Sequence, residues 1–174
     1  MPSSHASRIL LVWGGLLALG CSHSTDKLIA QLGDADPVVR RATARALGEE
    51  QGSSADAVAA LGHAIKDSDI EVRENAADAL GQQGTAAKSS VRALEQALDD
   101  PELSVRLKAA LAIRSIDPAS QSYVPVLIAS LRAGHGPVFL EVGRMGTDAD
   151  WAVPTLVALL SHPRPQYARC PPGR

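Results

Sequence analysis

Aromatic residues are scarce in this chain: two Trp, two Tyr and one Phe make up 3% of its residues. Runs of strand type, rich in β-branched and aromatic side chains with an alternating pattern, are absent as well. Sheets are built from such runs, so the two absences exclude a β-rich fold. The sequence therefore predicts an all-α protein.

Signatures of catalysis and metal binding are also missing. The five histidines form no His-x-x-x-His or His-Glu pair, which excludes the common helical zinc motifs. The chain has no nucleophile elbow, no phosphate-cradling glycine loop and no Cys/His dyad. We therefore predict no catalytic residue, no metal site and no cofactor.

Neither sign of charge is in excess. The 17 Lys and Arg residues oppose 19 Asp and Glu residues, which gives a formal net charge of −2 at pH 7. Proteins whose main partner is nucleic acid usually present a basic face to the phosphates. The composition therefore predicts no nucleic-acid partner.

What the chain does have is a period of 33 residues that runs through its middle. A fixed period of this length indicates one supersecondary unit stacked on copies of itself. The apolar columns that keep the period are Leu28, Leu61, Leu94 and Leu127, then Leu32, Ile65, Leu98 and Leu131, and then Leu47, Leu80 and Ile113.

Each unit reads as a pair of helices. Val58, Leu61 and Ile65 form the apolar stripe of a first helix, and a polar turn at 66–69 separates it from an alanine-rich second helix. Gly48 and Gly81 are predicted to close the second helices of their repeats. We therefore predict a right-handed α-solenoid of stacked antiparallel helix pairs over residues 25–169, with about four full repeats, a partial fifth and an irregular tail at 170–174.

One phrase recurs within the period. Asp-x-x-x-x-Val-Arg, completed by Ala-Leu-Gly, spans 34–48 and 67–81, and at 100–114 it ends in Ile113 and Arg114. The ankyrin and tetratricopeptide signatures are absent. The phrase resembles the short HEAT-like repeat of the phycobilisome bilin lyases. The resemblance implies a hydrogen-bonded ladder that runs from unit to unit and is formed by Asp34, Asp67 and Asp100 with Arg40, Arg73 and Arg106.

Residues 1–20 have the pattern of an export signal. Arg8 precedes an uncharged apolar stretch at 9–20, which is shorter than the about 20 residues that a spanning helix needs. The segment 17–21 resembles a bacterial lipobox and implies that Cys21 carries a lipid, with 21–25 as a tether. We predict anchoring to the bacterial membrane, at the periplasmic face of the outer membrane. Secretion into the periplasm and an uncleaved anchor are the alternatives.

The end of the chain departs from the repeat. Residues 151–160 repeat the pattern of a first helix, but prolines stand at positions 163 and 165 where a second helix should follow. We interpret the chain as a truncated or frameshifted form of a longer repeat protein, with a degenerate natural cap as the alternative. If Cys21 is lipidated, Cys170 is the single remaining thiol and no internal disulfide can form.

These patterns favour a non-catalytic scaffold of the cell envelope that docks a protein partner on the exposed surface of its second helices. Two alternatives stay open: a bilin lyase-like enzyme or chaperone that holds a tetrapyrrole, and a structural component of an envelope complex. The predicted partner contacts are polar positions whose chemistry changes from repeat to repeat, namely Arg41, Arg45, Glu74, Asp78 and Lys108.

Overall fold

A computed structural model of the chain describes residues 25–50 and 54–161. The predicted signal peptide, the lipidation site at Cys21 and the tail beyond residue 161 lie outside these residues. The described part consists of helices joined by turns and contains no strand, so the all-α prediction is confirmed. The chain divides into two compact units, Met1–Gln121 and Ser122–Arg174.

The first unit contains the predicted helix pairs in order. Its described helices are α1 (25–31), α2 (Pro37–Glu49), α3 (Ala55–Ala64), α4 (Ile70–Gln83), α5 (Val91–Ala97) and α6 (Leu103–Ile116), with a 3₁₀ segment at Gly84–Ser90 before α5. α4 packs against both α2 and α6, while α3 packs on α4 and α5 packs on α6. The second helices of successive repeats thus form one layer and the first helices pack against it. This is the α-solenoid arrangement.

Short side chains fix where these helices begin. Asp36, Ser54 and Asp69 each accept a hydrogen bond from a backbone N–H in the first turn of the helix that follows. Pro37 occupies the first helical position of α2, where its missing N–H has no intrahelical partner to lose. Such caps each contribute about 1 kcal/mol. The capping side chains therefore set where α2, α3 and α4 begin.

The columns of the 33-residue period form the core of the first unit. Leu47, Leu80 and Ile113 are fully buried, and so are Leu61 and Leu94 of the first helices. Burying a leucine or isoleucine side chain contributes about 1.5–3 kcal/mol. Because the second helices of neighbouring repeats pack on one another, each repeat completes the apolar surroundings of the next.

Gly48 and Gly81 do not end their helices, in contrast to the prediction. Both lie inside the helical bounds, at close approaches between second helices. A Cβ at Gly48 would lie 2.9 Å from the Cα of Ala79, and one at Gly81 would lie 3.1 Å from the Cα of Ala112. Glycine is required here because the backbones of neighbouring helices nearly touch. The positive φ that often follows a helix occurs instead at Gly84, after α4.

The second unit contains α7 (Val124–Arg132), α8 (Gly136–Met145), a 3₁₀ segment at Gly146–Ala152 and α9 (Val153–Ser161). Leu127, Leu131 and Ala152 are fully buried within it. α9 has the first-helix pattern predicted from its sequence, yet it exposes an apolar stripe of Val153, Val157 and Leu160. The fourth predicted repeat and the start of the fifth therefore lie in this unit.

Candidate protein-interaction surface

Two arginines connect successive turns of the first unit. The Nε of Arg40 donates to Oδ2 of Asp67 at 2.7 Å and its Nη2 donates to Oδ1 at 2.8 Å. Arg73 holds Asp100 in the same way, at 2.8 Å and 3.1 Å. Each pair is a bidentate fork, which is stronger and more directional than a single hydrogen bond. The implied ladder thus exists at these two steps.

The arginines and aspartates of these forks also form hydrogen bonds with the backbone of the turn in their own repeat. The Nη1 of Arg73 donates to the carbonyl oxygens of Asp67 and Ser68, at 2.9 Å and 3.3 Å. The carboxylate of Asp100 accepts the backbone N–H of Glu102 at 2.9 Å. A rotation of one repeat against the next would break several of these bonds together. The ladder therefore fixes the stacking geometry of the repeats.

The two ends of the ladder differ from its middle. Oδ1 of Asp34 accepts the backbone N–H of Asp36 at 2.8 Å, within its own turn. The Nη1 of Arg106 donates to the carbonyl oxygens of Asp100 and Pro101. No ion pair involves Arg106 among the described residues. The next position of the aspartate column is Ala133, which has no carboxylate to offer.

These hydrogen bonds shift the acidity of the turn carboxylates. The hydrogen bonds from Arg40 hold the pKa of Asp67 below its usual value, and those from Arg41 lower the pKa of Asp69 to about 2. Burial alone would raise the pKa of Asp100, but the hydrogen bonds from Arg73 and from the N–H of Glu102 outweigh it and leave the pKa lowered. All three groups therefore stay charged at neutral pH.

We expect the protein to lose stability in acid. A carboxylate whose pKa is lower in the folded than in the unfolded chain stabilises the fold fully above its unfolded pKa, and this contribution disappears as the pH falls through the folded pKa. The free energy of unfolding should therefore decline between about pH 4, near the ordinary aspartate value, and about pH 2. Urea unfolding at a series of pH values measures this.

An Arg41→Gln variant provides the control for that titration. Removing the guanidinium should raise the pKa of Asp69 towards its ordinary value, which NMR of the carboxyl carbon measures directly. The loss of stability between about pH 4 and about pH 2 should then be smaller, because Asp69 would bind protons almost equally in the folded and the unfolded chain. A free energy of unfolding that stays constant from neutral pH down to about pH 2 would contradict the role of these carboxylates.

The five predicted partner contacts lie on the second helices, but some of them bind neighbouring repeats. Arg41 pairs with Asp69, and its Nη1 lies 3.1 Å from Oε2 of Glu71. Lys108 donates to Oδ1 of Asp78 at 2.8 Å. Each of these pairs joins two successive repeats. Charges that look free in the sequence therefore also contribute to stacking.

Arg45 and Glu74 complete the predicted set. The side chain of Arg45 is 77% exposed and pairs loosely with Glu49 within α2, at 3.5 Å. Glu74 is half-buried on α4. Arg45 is thus the most accessible of the five positions, and their role in partner binding stays a prediction.

Two side chains, those of Gln83 and Ser115, make polar contacts between repeats that were not expected from the sequence. Nε2 of Gln83 donates to the carbonyl oxygens of Leu47, Gly48 and Glu50, at 3.0–3.4 Å. One repeat later, Oγ of Ser115 donates to the carbonyl oxygen of Gly81 at 2.8 Å. These side chains satisfy carbonyls at the ends of the preceding second helices. The signal was the 33-residue spacing between the accepting residues Gly48 and Gly81.

A shallow cavity of about 320 Å³ opens beside the ladder between the second and third repeats. Arg73, Asp67 and Asp100 form its charged wall, and Lys66 lies at its rim. Since the guanidinium of Arg73 is already paired, this cavity offers no open fork to an anion. Among the described residues, no group of three or more His, Cys, Asp or Glu side chains could hold a metal ion. Their helices also include none long and apolar enough to cross a membrane.

A protein family and a solved structure are both similar to this chain. Residues 25–114 match the family described as HEAT repeats. A chain in the structure of the complex of CpcE and CpcF of phycocyanin lyase from Nostoc sp. PCC7120 is similar, with 27% sequence identity and a TM-score of 0.61. The match covers 81% of this chain and 59% of that chain, so the present chain spans less than two thirds of the length of that chain. The comparison with curated proteins finds no match.

Proposed function

Because the chain belongs to the HEAT repeat family, we propose that it is a non-catalytic scaffold that binds a protein partner on the surface of its second helices. HEAT repeats share one type of stacked core but present different surfaces, so the stacked core does not by itself determine which partner binds. The proposed mechanism is recognition by shape and by scattered polar contacts on a rigid layer of helices.

The observation that carries this proposal is that the recurring residues of each repeat are used for stacking, whereas the outward residues vary. The periodic residues are used in stacking, either in the core or in the ladder. The outward positions change chemistry instead: Arg45 is followed one period later by Asp78 and then by Leu111. A constant frame with a changing outer surface supports selective binding of one partner rather than a repeated small-ligand site.

We further propose that the scaffold acts at the cell envelope. The support is the apolar stretch at 9–20, followed by Gly20 and Cys21 in the lipobox-like order. A lipid on Cys21 would hold the repeats at a membrane surface through the short polar tether, and would concentrate the scaffold beside envelope proteins. A second lipid chain adds strongly to such anchoring.

Crosslinking of the full-length protein in membranes of its native host, followed by mass spectrometry, tests both proposals. A Cys21→Ala variant is the matched control. We expect one dominant protein partner with the unaltered chain and reduced capture with the variant. Equal capture by both forms would contradict the role of the anchor. No captured protein with either form would contradict the scaffold itself.

A second candidate is a bilin lyase-like protein that holds a tetrapyrrole. The observation that favours it is the structural similarity to a chain of a phycocyanin lyase complex. This candidate predicts that protein purified from its native host carries a chromophore that absorbs visible light. The leading proposal predicts a colourless protein, so an absorption spectrum separates the two.

A further inference from the structure

Arg106 repeats the geometry of the ladder arginines but ends in an open fork. In Arg40 and Arg73, Nη1 donates to two carbonyl oxygens of the arginine's own turn, which leaves Nε and Nη2 to hold a carboxylate. The Nη1 of Arg106 makes the same two contacts, with Asp100 and Pro101. Within the described residues, its Nε and Nη2 have no hydrogen-bond acceptor.

The open edge of this guanidinium remains accessible. Arg106 is half-buried. In the described part of the chain, Nε1 of Trp151 is the one side-chain polar atom that is both buried and without a partner, so neither Nε nor Nη2 of Arg106 is such an atom. The Nε and Nη2 of Arg106 are therefore both unpaired and in contact with solvent. In the sequence, the position one period after Asp100 is Ala133, whose methyl group cannot accept a hydrogen bond.

We propose that Arg106 receives the carboxylate of an aspartate or glutamate from the protein partner, bound bidentately at Nε and Nη2. This proposal rests on the scaffold function proposed above and names one contact of its interface. The two forks within this chain, at 2.7–3.1 Å, show what the arrangement accepts. Arginine fits a planar carboxylate with two parallel bonds better than lysine can.

The guanidinium of Arg106 is held in place before any partner binds. The two turn carbonyls already hold the guanidinium of Arg106, so binding does not have to order a free arginine side chain. Arginine is also enriched among the few residues that dominate the binding energy of protein interfaces. Loss of the fork should weaken partner binding by about tenfold to hundredfold, as expected for hydrogen bonds to a charged group.

A probe experiment tests the fork without any partner. The Nε–Hε signals of the arginines in the full chain are followed by NMR while N-acetyl-aspartate amide is added, with sodium chloride at equal ionic strength as the reference. We expect a saturable shift at Arg106 and none at Arg73, which is already paired. An unchanged Arg106 signal, or an equal shift at the exposed Arg92, would overturn the proposal. A stronger response to inorganic phosphate would overturn the assignment to a carboxylate.

A capture experiment tests the same fork in the complex. Arg106→Gln and Arg106→Lys are compared with Arg92→Gln, which removes the same charge from an exposed position of α5. We expect about tenfold less captured partner with both Arg106 variants, because lysine restores the charge but not the fork, and no change with Arg92→Gln. Circular dichroism checks that all variants are folded.

The two proposals fail in different ways. A response of Arg106 to the probe without any captured protein would overturn the scaffold, and with it the partner contact, but would leave carboxylate binding at Arg106 in place. Capture that is equal for Arg106→Gln and Arg92→Gln, with a silent Arg106 signal, would overturn the fork and leave the scaffold in place. A retained capture with Arg106→Lys alone would show that charge suffices and would overturn the bidentate contact.

Discussion

Replacing Asp100 with Ala is expected to lower the free energy of unfolding by about 3 kcal/mol, the lower end of the cost of removing one partner from a buried ion pair. The side chains of Asp100 and Arg73 are each 10% exposed, so the substitution leaves an almost buried guanidinium without its carboxylate. The backbone N–H of Glu102 loses an acceptor as well. Urea unfolding followed by circular dichroism measures the change.

A double-mutant cycle with Arg73→Met separates the pair from the loss of each side chain alone. We expect the double variant to be more stable than the two single losses predict, because an uncompensated charge no longer remains. Arg45→Ala is the matched control, since its ion pair with Glu49 is exposed, and it should cost less than about 0.5 kcal/mol. Equal costs for Asp100→Ala and Arg45→Ala would contradict a structural role for the ladder.

Gly48→Val is expected to destabilise the first unit by about 3 kcal/mol, near the upper end of the cost of overpacking. The new Cβ would lie 2.9 Å from both Cα and Cβ of Ala79, so the backbones of α2 and α4 would have to separate. Since α4 also packs on α6, that separation would propagate along the layer of second helices. Thermal and urea unfolding both report the loss.

The same chemical change at two glycines should have opposite signs. Gly48→Ala forces the contact with Ala79, and it should destabilise the protein despite the better helix propensity of alanine. Gly143 lies in α8 with nothing within 4 Å of an added Cβ, so Gly143→Ala should stabilise its helix by about 1 kcal/mol. Stabilisation by both substitutions would contradict the close approach of α2 and α4.

The stacked helix pairs could be predicted from the sequence because a fixed period of 33 residues is compatible with few folds. Leu47, Leu80 and Ile113 recur at a fixed step, and all three are fully buried where the second helices stack. The Arg40–Asp67 and Arg73–Asp100 pairs followed from resemblance to a repeat family rather than from periodicity. Periodicity alone identifies which residues recur, but not which atoms meet.

The surface was harder to predict. Arg41 looked like an open contact residue, yet the approach of α2 to the start of α4 places it against Asp69. Gln83 looked like an ordinary polar residue near a helix end, and only the packing of α4 on α2 brings its amide to three carbonyls. The role of Gly48 depends on the same approach. These features depend on distances between helices, which a single sequence does not contain.

The ladder has a consequence for how the length of such a protein can change. Arg40 and Arg73 each take a carboxylate from the following repeat, and Asp67 and Asp100 each supply one to the preceding repeat. Duplication of one complete 33-residue unit, such as 67–99, would therefore insert a new arginine together with a new aspartate, and every fork inside the array would stay filled. An insertion that is not a whole number of repeats would separate a donor from its acceptor. Because each fork joins two successive repeats, insertions and deletions of whole repeats should be tolerated better than those of other lengths.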